Sequence, residues 1–334
     1  MKVSIYGLGS FGYAVLKHLD SKNDSKIDLH GYDRNIKLIK LLKIKRKHYF
    51  LHKSIKISNR VIIDSNVKSL LSNCDVLILA VPSNSLRVVL RKIKPHITNK
   101  LIIVNTAKAL DYKTGKRLSE VVEEEMEKKS YDYAVVAGGT IAKDLFNQEP
   151  LGVDIACTNK KILPIVSNLF KKSNLFVYES DDLVGVEYAS AMKNIISILT
   201  GIIKGMKFSF GSETHFITRC SYEIEKIIVN ELGGRRKTFG AKSQCWTNDL
   251  WMSSLGNTRN KEFGVLLGKK IPVSEAITIM NSLGKTVEGI NTLKALNNIP
   301  ELKKYPLTNF LHNFIILKSS SLDELKEIIF NDKY

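Results

Sequence analysis

Three glycines near the start of the chain have the spacing of a dinucleotide-binding turn. Gly7, Gly9 and Gly12 form a G-x-G-x-x-G pattern between an apolar run, Lys2–Tyr6, and a helical stretch. In such a turn the first glycine allows a tight bend, the second lets a pyrophosphate approach the backbone, and the third lets helix and strand pack closely. The N–H groups and the positive dipole of the helix N-terminus also favour phosphate. The pattern predicts a dinucleotide site, although the same turn could simply pack a βα unit.

The residues that end the next predicted strand bear on the choice of dinucleotide. Tyr32, Asp33 and Arg34 follow the glycines by about twenty residues, where an acid binds the ribose hydroxyls and an arginine can accept a 2′-phosphate. Both residue types are present. The sequence therefore leaves the choice between NAD and NADP open.

A single lysine interrupts a strongly apolar helical stretch in the second half of the chain. Lys193 lies between Ala191-Met192 and Ile195-Ile196, a position in which an ammonium without partners is costly. A lysine whose pKa is lowered by burial can act as a general acid. Taken alone, the pattern favours the alternative of a lysine that extends from the helix edge into solvent.

Short β-branched runs alternate with helical stretches through the first half of the chain, as a parallel sheet with crossover helices requires. We predict a mostly parallel α/β Rossmann domain over residues 1–180, with a late helix at Asn159–Phe170. Its strands are predicted at Lys2–Tyr6, Ile27–Tyr32, Val61–Ile63, Val76–Ala80, Leu101–Asn105, Tyr133–Ala137, Gly152–Cys157 and Leu175–Tyr178.

From Asp181 onward the strand pattern gives way to helical periodicity, which predicts an all-α domain over residues 181–334. A long helix is predicted to start there. The segment Gly233–Asn260, rich in Gly, Asn, Thr and Ser, is predicted to be an irregular loop. Further helices are predicted at Glu213–Leu232, Val273–Leu283, Thr286–Leu296 and Leu322–Phe330.

Composition limits the class of protein. The 334 residues are enough for two domains, and 51 Lys and Arg against 33 Asp and Glu give a net charge of +18, which attracts anions. The cations are spread along the chain without a zinc finger, an aromatic RNA-binding motif or a basic tail, so no nucleic-acid partner is predicted. The four cysteines lack metal or disulfide spacing, and no signal peptide or membrane-spanning run is visible. We expect a cytoplasmic protein with no metal and no membrane insertion.

Five polar segments follow one another in an order that carries a family resemblance. They are Asn105–Leu110 (NTAKAL), Ala137–Lys143 (AGGTIAK), Ala191–Ile196 (AMKNII), Asn248–Leu250 (NDL) and Thr258–Gly264 (TRNKEFG). They resemble the T-K-G-L/I, G-P-T/S-F-A-K/E, V-K-N-V/I and G-D-L…S-R-N-x-x-F-G segments of the NAD(P)-dependent glycerol-3-phosphate dehydrogenases. The chain is identified as a member of that family, which implies interconversion of dihydroxyacetone phosphate and sn-glycerol 3-phosphate for phospholipid synthesis.

The resemblance also implies residue roles. Lys193 would be the catalytic lysine, Asn194 and Asp249 would hold its amine by hydrogen bonds, and Ser253 stands where the family usually has threonine. Arg259 and Asn260 would bind phosphate, to which a guanidinium offers two parallel donors. The other residues implied for the small phosphorylated substrate are Lys108, Gly138, Thr140 and Thr258, and those for the cofactor are Ser10, Phe11, Lys108, Ala142, Arg259 and Glu288. A homodimer is implied as well.

The chain departs from the family pattern around this site. Ala109, Gly139 and Ile141 replace the family's glycine, proline and phenylalanine, and Lys204 lies in a stretch normally rich in Asp and Gly. These changes alter the pocket but keep the implied proton donor and phosphate ligands. Two alternatives therefore stay open: another two-domain NAD(P)-dependent hydroxy-acid dehydrogenase, and a nucleotide-binding regulatory homologue that has lost turnover.

Overall fold

The structure is a computed structural model that describes residues 1–49, 56–157 and 159–330. Its chain divides into two units. The first unit comprises Met1–Lys108 and Leu118–Leu183, and the second comprises Ala109–Arg117 and the chain from Val184 onward. A short segment from the first half of the sequence thus belongs to the second unit.

The first unit is built on an eight-stranded sheet with the strand order β3-β2-β1-β4-β5-β6-β7-β8. All neighbouring strands are parallel except the antiparallel pair β6 and β7. The eight predicted strands are confirmed, with ends displaced by at most two residues. They are β1 (Lys2–Tyr6), β2 (Asp28–Tyr32), β3 (Ile62–Ile63), β4 (Val76–Leu79), β5 (Leu101–Asn105), β6 (Tyr131–Ala137), β7 (Leu151–Cys157) and β8 (Leu175–Ser180).

Helices connect these strands, and the central strand β4 is buried along its whole length, as expected for a parallel sheet covered on both faces. The predicted helix Asn159–Phe170 is shorter than expected and begins at Leu163, with a proline in its first turn. The helices of this unit are α1 (Ser10–Asp20), α2 (Ile36–Lys45), α3 (Val67–Leu71), α4 (Leu86–Ile93), α5 (Leu118–Glu125), α6 (Ala142–Phe146) and α7 (Leu163–Phe170).

Helices account for the regular structure of the second unit, so the predicted fold class is confirmed. They are α8 (Leu183–Gly205), α9 (Phe210–Lys226), α10 (Asp249–Leu255), α11 (Arg259–Gly268), α12 (Val273–Ser282), α13 (Glu288–Ala295), α14 (Pro306–His312) and α15 (Leu322–Phe330). Among the described residues, no helix is both long and apolar enough to cross a bilayer.

The predicted loop Gly233–Asn260 is wrong in its larger part. It contains a 3₁₀ turn at Arg236–Phe239, a π-helical turn at Gln244–Asn248 and the whole of α10, and α11 begins at Arg259. The residues of this segment have low intrinsic helix propensity, but tertiary packing outweighs propensity. Trp246 and Leu250 provide that packing, because each is only 4% exposed.

Four glycines let α8 and α11 cross at very short range. A Cβ atom on Gly201 would lie 2.2 Å from the carbonyl oxygen of Lys261, and one on Gly264 would lie 2.1 Å from that of Ile198. Gly205 and Gly268 make the same kind of contact one turn further along. The crossing fixes the N-terminal turn of α11 against the helix that carries Lys193.

Candidate active site

The glycine turn after β1 has the geometry that its sequence predicts. Gly7 has a φ of +97°, and a Cβ atom there would lie 2.6 Å from the Ala80 carbonyl oxygen. A Cβ atom on Gly12 would lie 1.8 Å from the Gly7 carbonyl oxygen, so this glycine permits the close packing of α1. Around Gly9 nothing lies within 4 Å of the Cβ position. The helix begins at Ser10 without a side-chain cap, which leaves N–H groups for an anion.

A cavity of about 350 Å³ opens over this turn. Five of the predicted cofactor residues line it, namely Gly7, Gly9, Ser10, Asp33 and Arg34. The rest of its wall includes Tyr6, Asn35, His48, Tyr49, Ala80, Val81 and Pro82. The open space at Gly9 and the uncapped helix fit the pyrophosphate of a dinucleotide.

Two side chains form hydrogen bonds with the backbone of Leu8, inside the glycine turn. The Leu8 N–H donates to Asp33 Oδ2 at 2.8 Å, and the Leu8 carbonyl accepts from His48 Nε2 at 3.1 Å. Asp33 Oδ1 also accepts from the Asn35 N–H at 2.7 Å. His48 is 2% exposed, and burial lowers the pKa of its imidazole. Sequence reasoning did not find His48, because no local pattern marks a histidine that bonds a turn 40 residues away.

Three further predicted cofactor residues of the first unit, Tyr32, Phe11 and Ala142, are not among the described residues that line this cavity. Tyr32 is 7% exposed, and its ring meets that of Tyr6 at 5.1 Å between centroids. Burial and the nearby Tyr32 raise the pKa of the Tyr6 phenol to about 12. Phe11 packs against the core of the first unit, as does Ala142 at the start of α6.

The ends of β5 and β6 bring together the predicted substrate residues of the first unit. Because the two strands are parallel neighbours, their carboxyl ends meet. The Lys108 ammonium donates to the Gly138 carbonyl oxygen, and the Thr140 N–H donates to the same oxygen at 2.7 Å. Asn105 Oδ1 shapes the turn before Lys108 by accepting from the Ala107 N–H at 3.2 Å.

In the second unit the structure brings together three of the four predicted catalytic residues. Lys193 Nζ lies 2.8 Å from Asp249 Oδ1 and 2.6 Å from Ser253 Oγ. Its side chain is 7% exposed, and that of Asp249 is fully buried. Lys193 therefore points into the unit with its charge compensated by a carboxylate, and it does not extend into solvent. An ammonium held in this way can deliver a proton to a carbonyl oxygen.

Asn194, the fourth predicted catalytic residue, has a different environment. Its side-chain Nδ2 is buried and has no hydrogen-bond partner among the described residues. A hydrogen bond to the Lys193 ammonium, which the resemblance implies, would use Asn194 Oδ1 as the acceptor and stays a prediction. A buried donor without a partner is rare in folded proteins, and a bound ligand is one way to satisfy it.

Arg259 projects from a turn that its neighbours anchor. Thr258 Oγ1 donates to the Ser253 carbonyl at 2.8 Å, and Asn260 Oδ1 accepts from the Gly289 N–H at 3.0 Å. Arg259 itself is exposed and forms no ion pair within the described chain. Its guanidinium, together with the N-terminal turn of α11, can bind an anion.

Two further residues belong to this part of the second unit. Lys261, which follows Asn260, forms a buried ion pair with Glu213 of α9, with Nζ and Oε2 3.2 Å apart. Sequence reasoning did not single out this pair. Glu288, predicted to lie near the cofactor, is the half-buried first residue of α13, directly before the Gly289 that Asn260 holds.

Two family models match successive parts of the chain. The N-terminal part of NAD-dependent glycerol-3-phosphate dehydrogenase matches residues 2–163, and its C-terminal part matches residues 182–326. The chain belongs to this family. The predicted family membership is confirmed, and the two matches together extend over nearly the whole length of the chain.

Individual relatives agree with this assignment. A glycerol-3-phosphate dehydrogenase (NAD(P)+) of Clostridium botulinum (strain Eklund 17B / Type B) is 30% identical over 99% of this chain and 98% of the relative. Its counterpart in Fusobacterium nucleatum is 30% identical over 100% of this chain and 98% of the relative. Solved glycerol-3-phosphate dehydrogenases share the fold. The Coxiella burnetii protein has a TM-score of 0.83 at 23% sequence identity, with 99% of both chains covered. The Plasmodium falciparum protein has a TM-score of 0.90 at 20% sequence identity, with 100% of this chain and 96% of that protein covered.

Proposed function

We propose that this chain catalyses the reduction of dihydroxyacetone phosphate to sn-glycerol 3-phosphate by NADH or NADPH, and the reverse reaction. The observation that carries the proposal is the buried group formed by Lys193, Asp249 and Ser253. Membership of the glycerol-3-phosphate dehydrogenase family supports it. The product would supply the backbone of phospholipids.

In this proposal Lys193 is the proton donor. A bound reduced nicotinamide would supply the hydride to the carbonyl carbon, and the carbonyl oxygen would need a proton. The Lys193 ammonium would give that proton and become neutral, and in the reverse reaction the neutral amine would take it back. Asp249 would keep the ammonium oriented, and Ser253 would fix its second N–H.

The phosphate group of the substrate would bind at the start of α11. Arg259 offers a planar pair of donors, and the Asn260 side chain, which uses its oxygen for Gly289, would add its amide N–H. Asn194 Nδ2, buried and unsatisfied among the described residues, would donate to the bound ligand. Lys108, Gly138, Thr140 and Thr258 are proposed to complete the substrate contacts.

The two domains would have different binding roles. Residues 1–180 would bind NAD(P), and residues 181–334 would bind substrate and carry the proton donor. The cavity at the glycine turn supports the first role, since Gly9 leaves room for a pyrophosphate. Arg34 is exposed at the rim of this cavity and would accept a 2′-phosphate, which favours NADPH. Phe11, Ala142, Arg259 and Glu288 are proposed to contribute to the cofactor site.

We also propose a cytoplasmic homodimer. The dimer rests on the family resemblance, and sedimentation velocity at several protein concentrations tests it. The compartment is suggested by the cysteines, since Cys74, Cys157, Cys220 and Cys245 are all buried free thiols. A reducing compartment suits such a chain.

One assay tests the proposed reaction. Purified protein is mixed with dihydroxyacetone phosphate and either NADH or NADPH, and the nicotinamide absorbance is followed. We expect oxidation of the cofactor that depends on the substrate, with a higher kcat/KM for NADPH. Turnover only with a keto acid, and none with dihydroxyacetone phosphate, would favour a hydroxy-acid dehydrogenase. Cofactor binding without turnover on any substrate would favour a regulatory homologue.

A further inference from the structure

The outer face of α2 carries an unusual combination of side chains. The twelve residues from Ile36 to Lys47 contain six cations and no carboxylate. At about 100° per residue, Lys37, Lys40 and Lys43 fall on the same side of the helix as Ile36 and Ile44. The opposite side, which includes Leu38, Ile39 and Leu42, is buried in the core of the first unit. The helix is therefore anchored inward and presents a mixed cationic and apolar face outward.

The exposure of this outer face is high for apolar side chains. Ile36 is 70% exposed and Ile44 is 80% exposed. The lysines between them, Lys37 and Lys40, form no ion pair with any carboxylate of the described chain. The basic helix α4 differs in this respect, because two of its cations form ion pairs with carboxylates.

On α4 two of the three basic side chains form ion pairs within the fold. Arg91 lies 2.7 Å from Glu125 Oε1, and Arg87 lies 3.1 Å from the same oxygen. These two ion pairs lower the pKa of the Glu125 carboxyl. The outer face of α2 differs from α4 in that Lys37 and Lys40 form no ion pair in the described chain, while exposed isoleucines lie beside them.

We propose that the outer face of α2 docks on the surface of an anionic lipid bilayer. Lysines in such a position attract lipid phosphates, and interleaved isoleucines enter the boundary between headgroups and acyl chains. A nucleic acid would satisfy the lysines equally well but would gain nothing from Ile36 and Ile44. The combination of charge and exposed apolar surface therefore favours lipid. This proposal does not depend on the proposed reaction.

The docking is peripheral. The ten residues of α2 extend about 15 Å, whereas a span of the hydrocarbon core needs roughly 20 residues. With its inner side buried in the first unit, α2 can only lie in the plane of the membrane surface. Its contact would be reversible and sensitive to salt, because most of the attraction is between charges.

Vesicle flotation of the full-length protein tests the proposal. The probes are vesicles of phosphatidylglycerol and phosphatidylcholine in equal parts, and vesicles of phosphatidylcholine alone. We expect binding to the anionic vesicles, no binding to the neutral ones, and loss of binding when the salt is raised to about 0.5 M, where charges are strongly screened. Equal binding to both vesicle types overturns the proposal.

Matched variants locate the surface. The triple variant Lys37→Gln/Lys40→Gln/Lys43→Gln should lower the partition onto anionic vesicles at least tenfold, since each surface lysine contributes roughly fivefold. The control Lys160→Gln/Lys161→Gln/Lys171→Gln removes the same charge from exposed positions elsewhere in the first unit and should change little. An equal loss in both variants shows attraction by net charge alone and overturns the proposal.

A single apolar substitution separates lipid from nucleic acid and does not depend on the stability of the triple variant. Ile44→Ser removes an 80% exposed side chain from the surface, so the thermal unfolding midpoint should stay unchanged. We expect weaker partition onto anionic vesicles and unchanged binding to a short DNA duplex. Two results together would overturn the proposal and identify a nucleic-acid surface. The parent protein would bind the duplex tightly and the Lys triple variant would not, and Ile44→Ser would leave vesicle binding unaffected.

Discussion

Lys193 is a buried cation whose charge is compensated by the Asp249 carboxylate, and its ammonium also donates a hydrogen bond to Ser253 Oγ. Lys193→Met keeps the length and the apolar stem of the side chain and removes the proton. Because a positioned acid contributes roughly 10²–10⁴-fold, we expect kcat for reduction of dihydroxyacetone phosphate to fall by at least about 10². Steady-state kinetics measure the effect, and NADH fluorescence should show that cofactor binding survives.

Stability has to be controlled in that experiment. Removing Lys193 leaves Asp249, which is 0% exposed, without its cation, a change that costs about 3–5 kcal/mol in other buried pairs. The double variant Lys193→Met/Asp249→Asn removes both charges and should recover most of the melting temperature without recovering activity. If either variant folds, binds NADH and turns over within a few-fold of the parent, Lys193 is not the proton donor.

Arg259 differs from the other cations of its turn because its guanidinium is exposed and unpaired in the described chain, whereas Lys261 is held by Glu213. Arg259→Lys keeps the charge but loses the two parallel donors that match a phosphate. We expect kcat/KM for dihydroxyacetone phosphate to fall at least about tenfold, a loss of roughly 1.4 kcal/mol. Arg236→Lys, at an 82% exposed side chain of the same unit, is the control and should behave as the parent does. Parental kinetics for Arg259→Lys would place the phosphate elsewhere.

His48 acts on the cofactor site through the backbone. Its Nε2–H fixes the Leu8 carbonyl within the glycine turn, so His48→Leu frees that peptide, whereas His48→Gln can keep a donor at a similar position. For His48→Leu we expect a several-fold higher KM for NADH and NADPH with kcat little changed, and for His48→Gln partial rescue. A drop in melting temperature with no change in either KM would reduce His48 to a packing residue.

At the scale of elements, the crossing of α8 and α11 determines where the phosphate turn lies. Gly264→Ala would place a Cβ atom 2.1 Å from the Ile198 carbonyl oxygen, so the two helices must separate. Overpacking of this kind costs about 1–3 kcal/mol or more. We expect a lower urea midpoint and a higher KM for dihydroxyacetone phosphate, because the turn that carries Arg259 moves with α11.

Gly211→Ala, in α9, is the matched control for Gly264→Ala. The nearest atom to its Cβ position is Ser209 Oγ at 3.8 Å, so the methyl group has room. Replacement of a glycine in a helix by alanine is then neutral or stabilising. Equal effects of Gly264→Ala and Gly211→Ala on stability and KM would mean that the helix crossing has no special role.

At the scale of the whole molecule, buried histidines determine the response to acid. Burial lowers the pKa of His18 to about 4, and it also lowers the pKa values of His48 and His312. In the unfolded chain a histidine takes up its proton near pH 6.5, so between about pH 6.5 and 4 the unfolded state binds protons that the folded state refuses. The free energy of unfolding should therefore fall as the pH falls through this window, and it should be constant with respect to these groups above it.

Urea unfolding at a series of pH values measures this effect. His18 alone would account for about 3 kcal/mol between the two limits. His18→Gln, which can keep the donor to the Phe170 carbonyl oxygen, should flatten the pH dependence. Carboxylates with lowered pKa values, such as Asp20 and Asp132, contribute only at lower pH. A midpoint that does not change between pH 7 and pH 5 would contradict the expected acid sensitivity.

The sequence by itself determined the parts of this protein that depend on neighbours along the chain. The eight strands follow from β-branched runs of the right length, and the glycine turn follows from the spacing of Gly7, Gly9 and Gly12, because steric freedom at a turn is a local property. The order of the polar segments was enough to predict the family. Each of these patterns can be read from residues close together in the sequence, although the finished cavity also uses distant residues such as His48 and Ala80.

Only the tertiary structure decided the features that depend on distant contacts. Lys193 meets Asp249 56 residues later, and the choice between a catalytic lysine and a solvent-facing one rests on that contact. The segment Gly233–Asn260 is largely helical because Trp246 and Leu250 are buried, not because its residues favour helix. His48 likewise reaches Leu8 across 40 residues. In each case contacts between distant segments decide the outcome. The free energy of such contacts cannot be read from the pattern of neighbouring residues along the chain.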